Sequence, residues 1–323
     1  LVMSFLAGIS VTLFYLSQAP FMMKVSRRDT RTLLFSLNFG LMTLSGAVGS
    51  LFAGQLPAIF GSLLGVSARS AEAYQAVLLA SVLLSGLTLI PIFMLKEPRT
   101  TGGVNGQKAK RAPIWRVVMR PITLKLALPN LLIGFGAAVL IPYMNVFFLD
   151  RFALPDRQLG MLFSLSALLT GVGSVIAPRL ATGLGSKIRA VVLTQSISLV
   201  FLLMLGFSPV LWLAGISFLI RGTLMNMASP LYHTFAMEQI DESEQGTVNS
   251  VFELAWEVGW AVGPYISGVV QESYGFTPLF IATGILYFIS TWLIWLLFKR
   301  VEFEVETPMN SEPVVVVRDV LGD

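Results

Sequence analysis

Cysteine is absent from the chain, and histidine occurs once, at His233. The first absence excludes a disulfide framework, a thiol nucleophile and an iron–sulfur site. The second argues against a metal centre built on histidines. Charge is scarce too. Asp, Glu, Lys and Arg make up 12% of the 323 residues, against the ~25% usual in a soluble domain. Alternating patterns of strand length are missing, which excludes an outer-membrane barrel. No phosphate loop of the kind GxxxxGK followed by Ser or Thr occurs, so nucleotide-driven transport by this chain itself is disfavoured. Nor do paired carboxylates or a nucleophile with its base stand together as a membrane-embedded enzyme would need. No enzymatic activity, no cofactor and no metal are therefore expected.

What the chain has in abundance is apolar length. Hydrophobic residues are 55% of the total, and several runs exceed the ~20 residues that cross a bilayer. Nine spans are read, at about 2–23, 33–56, 73–95, 123–149, 159–179, 190–207, 210–233, 247–270 and 277–298. The fold class is all-α, a polytopic membrane protein, and the lipid bilayer is its first partner. Of the 22 Lys and Arg, all but Arg69, Arg151, Arg157 and Arg221 fall on one side of these spans. By the positive-inside rule that side is cytoplasmic, and so is the C-terminus. The net charge of +4 then reflects topology and not a nucleic-acid partner.

Residues 97–120 form the one long polar connection, rich in Gly, Pro, Lys and Arg, and read as a flexible cytoplasmic linker. The expected divisions are 1–96, the linker 97–120, a second bundle over 121–299, and a polar tail over 300–323. A glycine register repeats across the linker. Gly49, Gly54 and Gly61 match Gly263, Gly268 and Gly275 at an offset of 214, Ser36 matches Ser250, and Pro20 parallels Pro230. A six-helix repeat follows, and with it the expectation that three helices precede residue 1.

Ionisable groups inside a span are expensive and are functional candidates by default. The stretch Arg221–Gly275 concentrates them. Arg221 lies deep in one span; Glu253 and Glu257 lie four apart, on one face of the next. Rise per residue puts Arg221 and Glu257 at similar depths, roughly 16–18 Å in. Two readings stand side by side. One is a static Arg221–Glu257 ion pair that pins two helices; the other is proton exchange at Glu257, with Arg221 tuning it or holding substrate. Asn226, Trp256, Tyr143 and Asn145 are candidate cavity residues. Gly259 and Gly263 have the small-xxx-small spacing of close helix packing, and with Pro264, Gly268, Gly49 and Gly54 they form the candidate packing and gating set. His233 reads as a lone interfacial histidine.

These residues resemble a known family. Two six-helix halves joined by a basic loop are the plan of the major facilitator superfamily. Leu128-Pro129-Asn130, Gly134, Gly136 and Pro142-Tyr143-Met144-Asn145 resemble the first helix of the second half in bacterial members. The run Trp256–Gly268, then Tyr274-Gly275-Phe276 and Phe280, is similar to the eleventh helix and the entry to the twelfth. The resemblance covers helices four to twelve. It implies a bacterial cytoplasmic membrane, a small-molecule substrate, a proton as coupling ion, and a monomer when complete. The family's cytoplasmic motif survives in part at Gly185, Lys187 and Arg189, but Thr182 stands where its acidic residue is expected. Gly46, Gly49 and Gly54 fit the antiporter glycine motif, with Ser50 in place of its proline, a slight lean toward export. The alternative is a non-transporting remnant or sensor-like protein on the same fold.

Overall fold

In the computed structural model the backbone is described for residues 2–53, 56–67, 70–94, 114–154 and 156–299. Side chains are described there too, except at 2–7, 47, 50–53, 91, 92, 156 and 157. Among these residues every regular element is a helix. Lipid offers no partner for backbone N–H and C=O groups, and a helix satisfies them within one segment.

The elements are α1 (Val2–Val25), α2 (Arg28–Ala53), α3 (Leu56–Leu64), α4 (Ala71–Leu87), α5 (Leu89–Met94), α6 (Ile114–Val118), α7 (Pro121–Leu140), α8 (Met144–Phe152), α9 (Asp156–Gly183), α10 (Lys187–Phe207), α11 (Leu211–Glu238), α12 (Gln245–Tyr274) and α13 (Thr277–Phe298). Among the described residues, five stretches are long and apolar enough to cross a membrane: Pro121–Phe152, Gln158–Gly183, Lys187–Phe207, Leu211–Glu238 and Thr277–Phe298.

Two expected spans prove to be broken. The span at 123–149 divides into α7 and α8 around a 3-10 turn, Ile141–Tyr143. Pro142 has no N–H to give the Ala138 carbonyl, and its ring crowds the preceding turn. The span at 73–95 divides into α4 and α5 at Thr88. The linker also holds more structure than expected at its end: α6 covers 114–118, with Val117 buried and its carbonyl accepting from Thr123 Oγ1 at 2.8 Å. Residues 97–113, the tail 300–323 and Gly54 lie outside the described residues.

The chain divides into two compact units, Leu41–Gly106 and the rest. In the smaller unit α3 packs on α4, and Ser70 caps α4 by accepting from the Ala73 N–H. In the larger unit, α7 and α9–α13 form a connected series in space, α12–α7–α13–α10–α11–α9. Helix α1 packs on α12.

The larger unit has two apolar cores. One lies toward the end rich in Lys and Arg, and joins Leu126, Ile188, Leu231, Phe235, Phe252 and Phe298 to Ala19, Met22, Met23 and Phe35 of α1 and α2. The other lies toward the opposite end and is drawn from α7 to α13 alone. Its centre is aromatic, with Phe147 edge-on to Phe148, Phe276 and Phe280 at centroid distances of 5.0–5.5 Å. Among the described residues, α1 and α2 therefore join the later helices in the apolar core at the basic end.

Candidate functional site

The seam between α7 and α12 positions most of the candidate residues. Gly259 and Gly263 face the α7 backbone. A Cβ at Gly259 would fall 2.8 Å from the Phe135 N and 2.9 Å from the Gly134 carbonyl carbon; one at Gly263 would fall 2.7 Å from the Ala138 methyl. From α7, Gly134 returns the fit: Trp256 lies over it, 3.0 Å from where a Cβ would stand. Asn130 ties the seam at another level, donating to the Phe252 carbonyl at 3.1 Å. Tyr143, turned by the Pro142 break, donates to the Pro264 carbonyl at 3.1 Å, and its hydroxyl lies 3.6 Å from where a Gly268 Cβ would be.

This packing fixes the outlook of the carboxylates. With Trp256, Gly259 and Gly263 turned to α7, Glu253 is left half-buried and Glu257 exposed. The expected Arg221–Glu257 pair does not form. Arg221, 5% exposed, donates to the Tyr287 hydroxyl at 2.9 Å, and its guanidinium carbon stands 5.7 Å from the Tyr287 ring centroid. Helices α11 and α12 follow one another in the chain but barely touch: α11 packs mainly on α9 and α10, and α12 on α7. Arg221 therefore points into the second bundle, toward α13. Its Nε and the Ser217 Oγ one turn away have no hydrogen-bond partner among the described residues. The guanidinium is thus held by a hydroxyl and a ring face inside the bundle.

Other candidates are placed as follows. Asn226 donates to the Gly222 carbonyl of its own helix at 2.8 Å. Asn145 is exposed. Around Gly49 a Cβ would meet nothing within 4 Å.

At the basic end, Gly185 has φ +66°, a conformation that costs glycine little, and turns the chain from α9 into α10. Ser186 then caps α10 by accepting from the Arg189 N–H at 3.2 Å. Arg189 is exposed. Lys187 is buried and gives both oxygens of Glu238 a hydrogen bond, at 2.8 and 2.7 Å. The carboxylate missing at Thr182 is thus supplied by the last residue of α11. A second pair, Arg120–Glu244, joins the approach to α7 with the start of α12. Arg31 of α2 closes the C-terminus of α1, donating to the Met23 and Ser26 carbonyls at 3.3 and 3.5 Å.

Residues that sequence reasoning passed over are Tyr287, Glu238 and the surroundings of His233. Only Glu238 left a signal, as an acid at the end of a span facing a basic loop.

The profile of the Major Facilitator Superfamily matches residues 1–264 and again 126–319. The chain belongs to this superfamily. Among its relatives are the multidrug resistance protein MdtG of Enterobacter lignolyticus, 27% identical over 166 residues, which are 50% of this chain and 38% of MdtG. The human chromaffin granule amine transporter is 26% identical over 187 residues, 57% of this chain and 35% of that protein. The chain thus spans under two-fifths of either relative. A solved structure of a bacterial homologue of the iron transporter ferroportin, in an outward-facing state, superposes with a TM-score of 0.69 at 15% identity. It covers 91% of this chain and 71% of that one. The superfamily's fold applies here.

Proposed function

We propose that the protein is a secondary active transporter that moves a small organic solute by alternating access, against a proton, in the outward direction. The observation that carries this reading is the outlook of α12. Its two carboxylates lie one turn apart within the span, and Glu257 is left on a face that α7 does not cover. An ionisable group inside a membrane span is a functional candidate by default, and among the described residues no cation of the bundle is turned to Glu257. Glu257 carries the proton, and Glu253, one turn toward the basic end, leads to it. Trp256 and Tyr143 shape the α12 wall from the seam.

Export is supported by the multidrug resistance relative. The charge distribution supports a cytoplasmic basic end and C-terminus.

The test uses proteoliposomes with an imposed pH gradient and ethidium as probe. The wild type is expected to move ethidium uphill in a pH-dependent way. Glu257→Gln is expected to lose uphill movement while still equilibrating ethidium down its own gradient. Native-rate, pH-dependent uphill transport by Glu257→Gln would overturn the assignment.

A further inference from the structure

His233 was read from the sequence as a lone residue at an interface. In the structure it is the middle of a chain of contacts that ends on another helix. Its ring stacks on Phe252 of α12, with a centroid distance of 6.0 Å and an interplanar angle of 12°, and Phe35 of α2 meets it edge-on at 5.6 Å. Its Nε2 lies 2.8 Å from Asn249 Oδ1. Asn249, fully buried, donates from Nδ2 to the Leu16 and Tyr15 carbonyls of α1, at 3.1 and 3.3 Å.

These contacts have a cause in the sequence. Pro20 lies inside α1. Proline has no N–H, so the carbonyl four residues earlier loses its helical partner. That carbonyl belongs to Leu16. A freed carbonyl inside a bilayer must find a donor on a neighbouring element, and Asn249 of α12 provides it. The rest of the geometry follows. Backbone carbonyls only accept, so the Asn249 amide must turn its nitrogen to α1 and its oxygen to His233. His233 therefore carries its hydrogen on Nε2 and donates. The order is His233 to Asn249 to Leu16, three helices in one line of hydrogen bonds.

We propose that His233, Asn249 and the Leu16 carbonyl exposed by Pro20 form a latch that holds α1 against α11 and α12 at the basic end, and that this latch opens when that end opens. The apolar contacts around it, Met22 and Phe35 against Leu231 and Phe252, are non-directional and tolerate sliding. The hydrogen bonds do not: they exist in one register, and breaking them leaves a buried amide and a buried carbonyl unpaired. The latch therefore sets the ratio of closed to open molecules. The movement it controls rests on the alternating-access reading above; the contact itself does not.

The chain has no native cysteine to remove, so two introduced thiols report without background. Thr30→Cys on α2 and Ser243→Cys between α11 and α12 are both exposed and outside the latch. Spin labels there, in the 323-residue chain in lipid nanodiscs, give the distance across the basic end. Asn249→Leu is expected to raise the ratio of long to short distances about fivefold or more. Pro20→Ala restores an N–H that competes for the Leu16 carbonyl, and is expected to shift the ratio the same way without touching α12. His233→Gln keeps a donor and should stay near wild type, whereas His233→Leu should not. A fall in thermal stability with an unchanged distance distribution, in both Asn249→Leu and Pro20→Ala, would make these contacts ordinary packing and end the proposal. If Asn249→Leu opens the basic end but the wild type moves no probe in vesicles, the latch stands and the transport reading falls. If the wild type transports and the variants leave the distances alone, the reverse holds.

Discussion

A methyl group added at Gly263 would lie 2.7 Å from the Ala138 methyl and 2.9 Å from its carbonyl carbon. The neighbour is backbone in a packed helix, so it has nowhere to go. Gly263→Ala is expected to destabilise the protein by about 1–3 kcal/mol, as overpacking does. Gly246→Ala, at the start of the same helix with nothing within 4 Å, should be neutral or stabilising by up to about 1 kcal/mol from helix propensity. Thermal unfolding of the two purified variants in one detergent checks the contrast. Equal melting temperatures would deny the close approach of α7 and α12. The spacing of Gly259 and Gly263 was plain in the sequence, and so was a packing role. Which helix they meet was not, because a small-residue stripe names a face and not its partner. Arg221 taught the same lesson with a different outcome. Its depth was legible, but its direction depends on how α11 is rotated against α10 and α13. The carboxylate at similar depth, Glu257 on α12, faces elsewhere.

At the scale of elements, the joint between α10 and α11 depends on Lys187 and Glu238. The Lys187 side chain is 2% exposed and the Glu238 side chain 13%. Lys187→Met removes one charge and strands the other against an apolar core, at an expected cost of about 3 kcal/mol, toward the lower end because Glu238 keeps some contact with water. Glu238→Gln should cost a similar amount, since it strands the more deeply buried lysine. The double variant Lys187→Met, Glu238→Leu replaces the pair with apolar volume and should recover most of the loss. A double-mutant cycle on unfolding free energies reads the coupling; simple additivity of the single changes would show that the pair contributes nothing. The basic half of this joint was visible as Gly185, Lys187 and Arg189, and the acidic half was sought at Thr182. It came instead from residue 238, fifty-one positions beyond Lys187, because α11 returns antiparallel beside α10 and sets its last turn against the first turn of its neighbour. Periodicity located the helices themselves well, to within a few residues at most ends. It missed the break at Ile141–Tyr143, where Pro142 interrupts an apolar run that hydropathy reads as continuous.

For the whole molecule, the arrangement of charge and packing makes one further demand. Basic residues gather at one end, α1 and α2 share an apolar core with the second bundle there, and the carboxylates of α12 lie within the span and open to one side. On the proposed reading, uphill movement draws on a gradient across the membrane. If the gradient is that of protons, a protonophore added to vesicles at constant ATP should abolish concentrative transport and leave downhill exchange intact. Replacing Glu257 by Gln should then remove the protonophore's effect, because the variant has no coupled proton to lose. Concentrative transport that survives the protonophore but stops when ATP is withdrawn would point to a separate ATPase partner. That outcome would separate the carboxylates of α12 from the driving force and leave Glu253 and Glu257 a role in binding alone. The two chemistries predict opposite responses to the same pair of additions, and the experiment needs no knowledge of the natural solute.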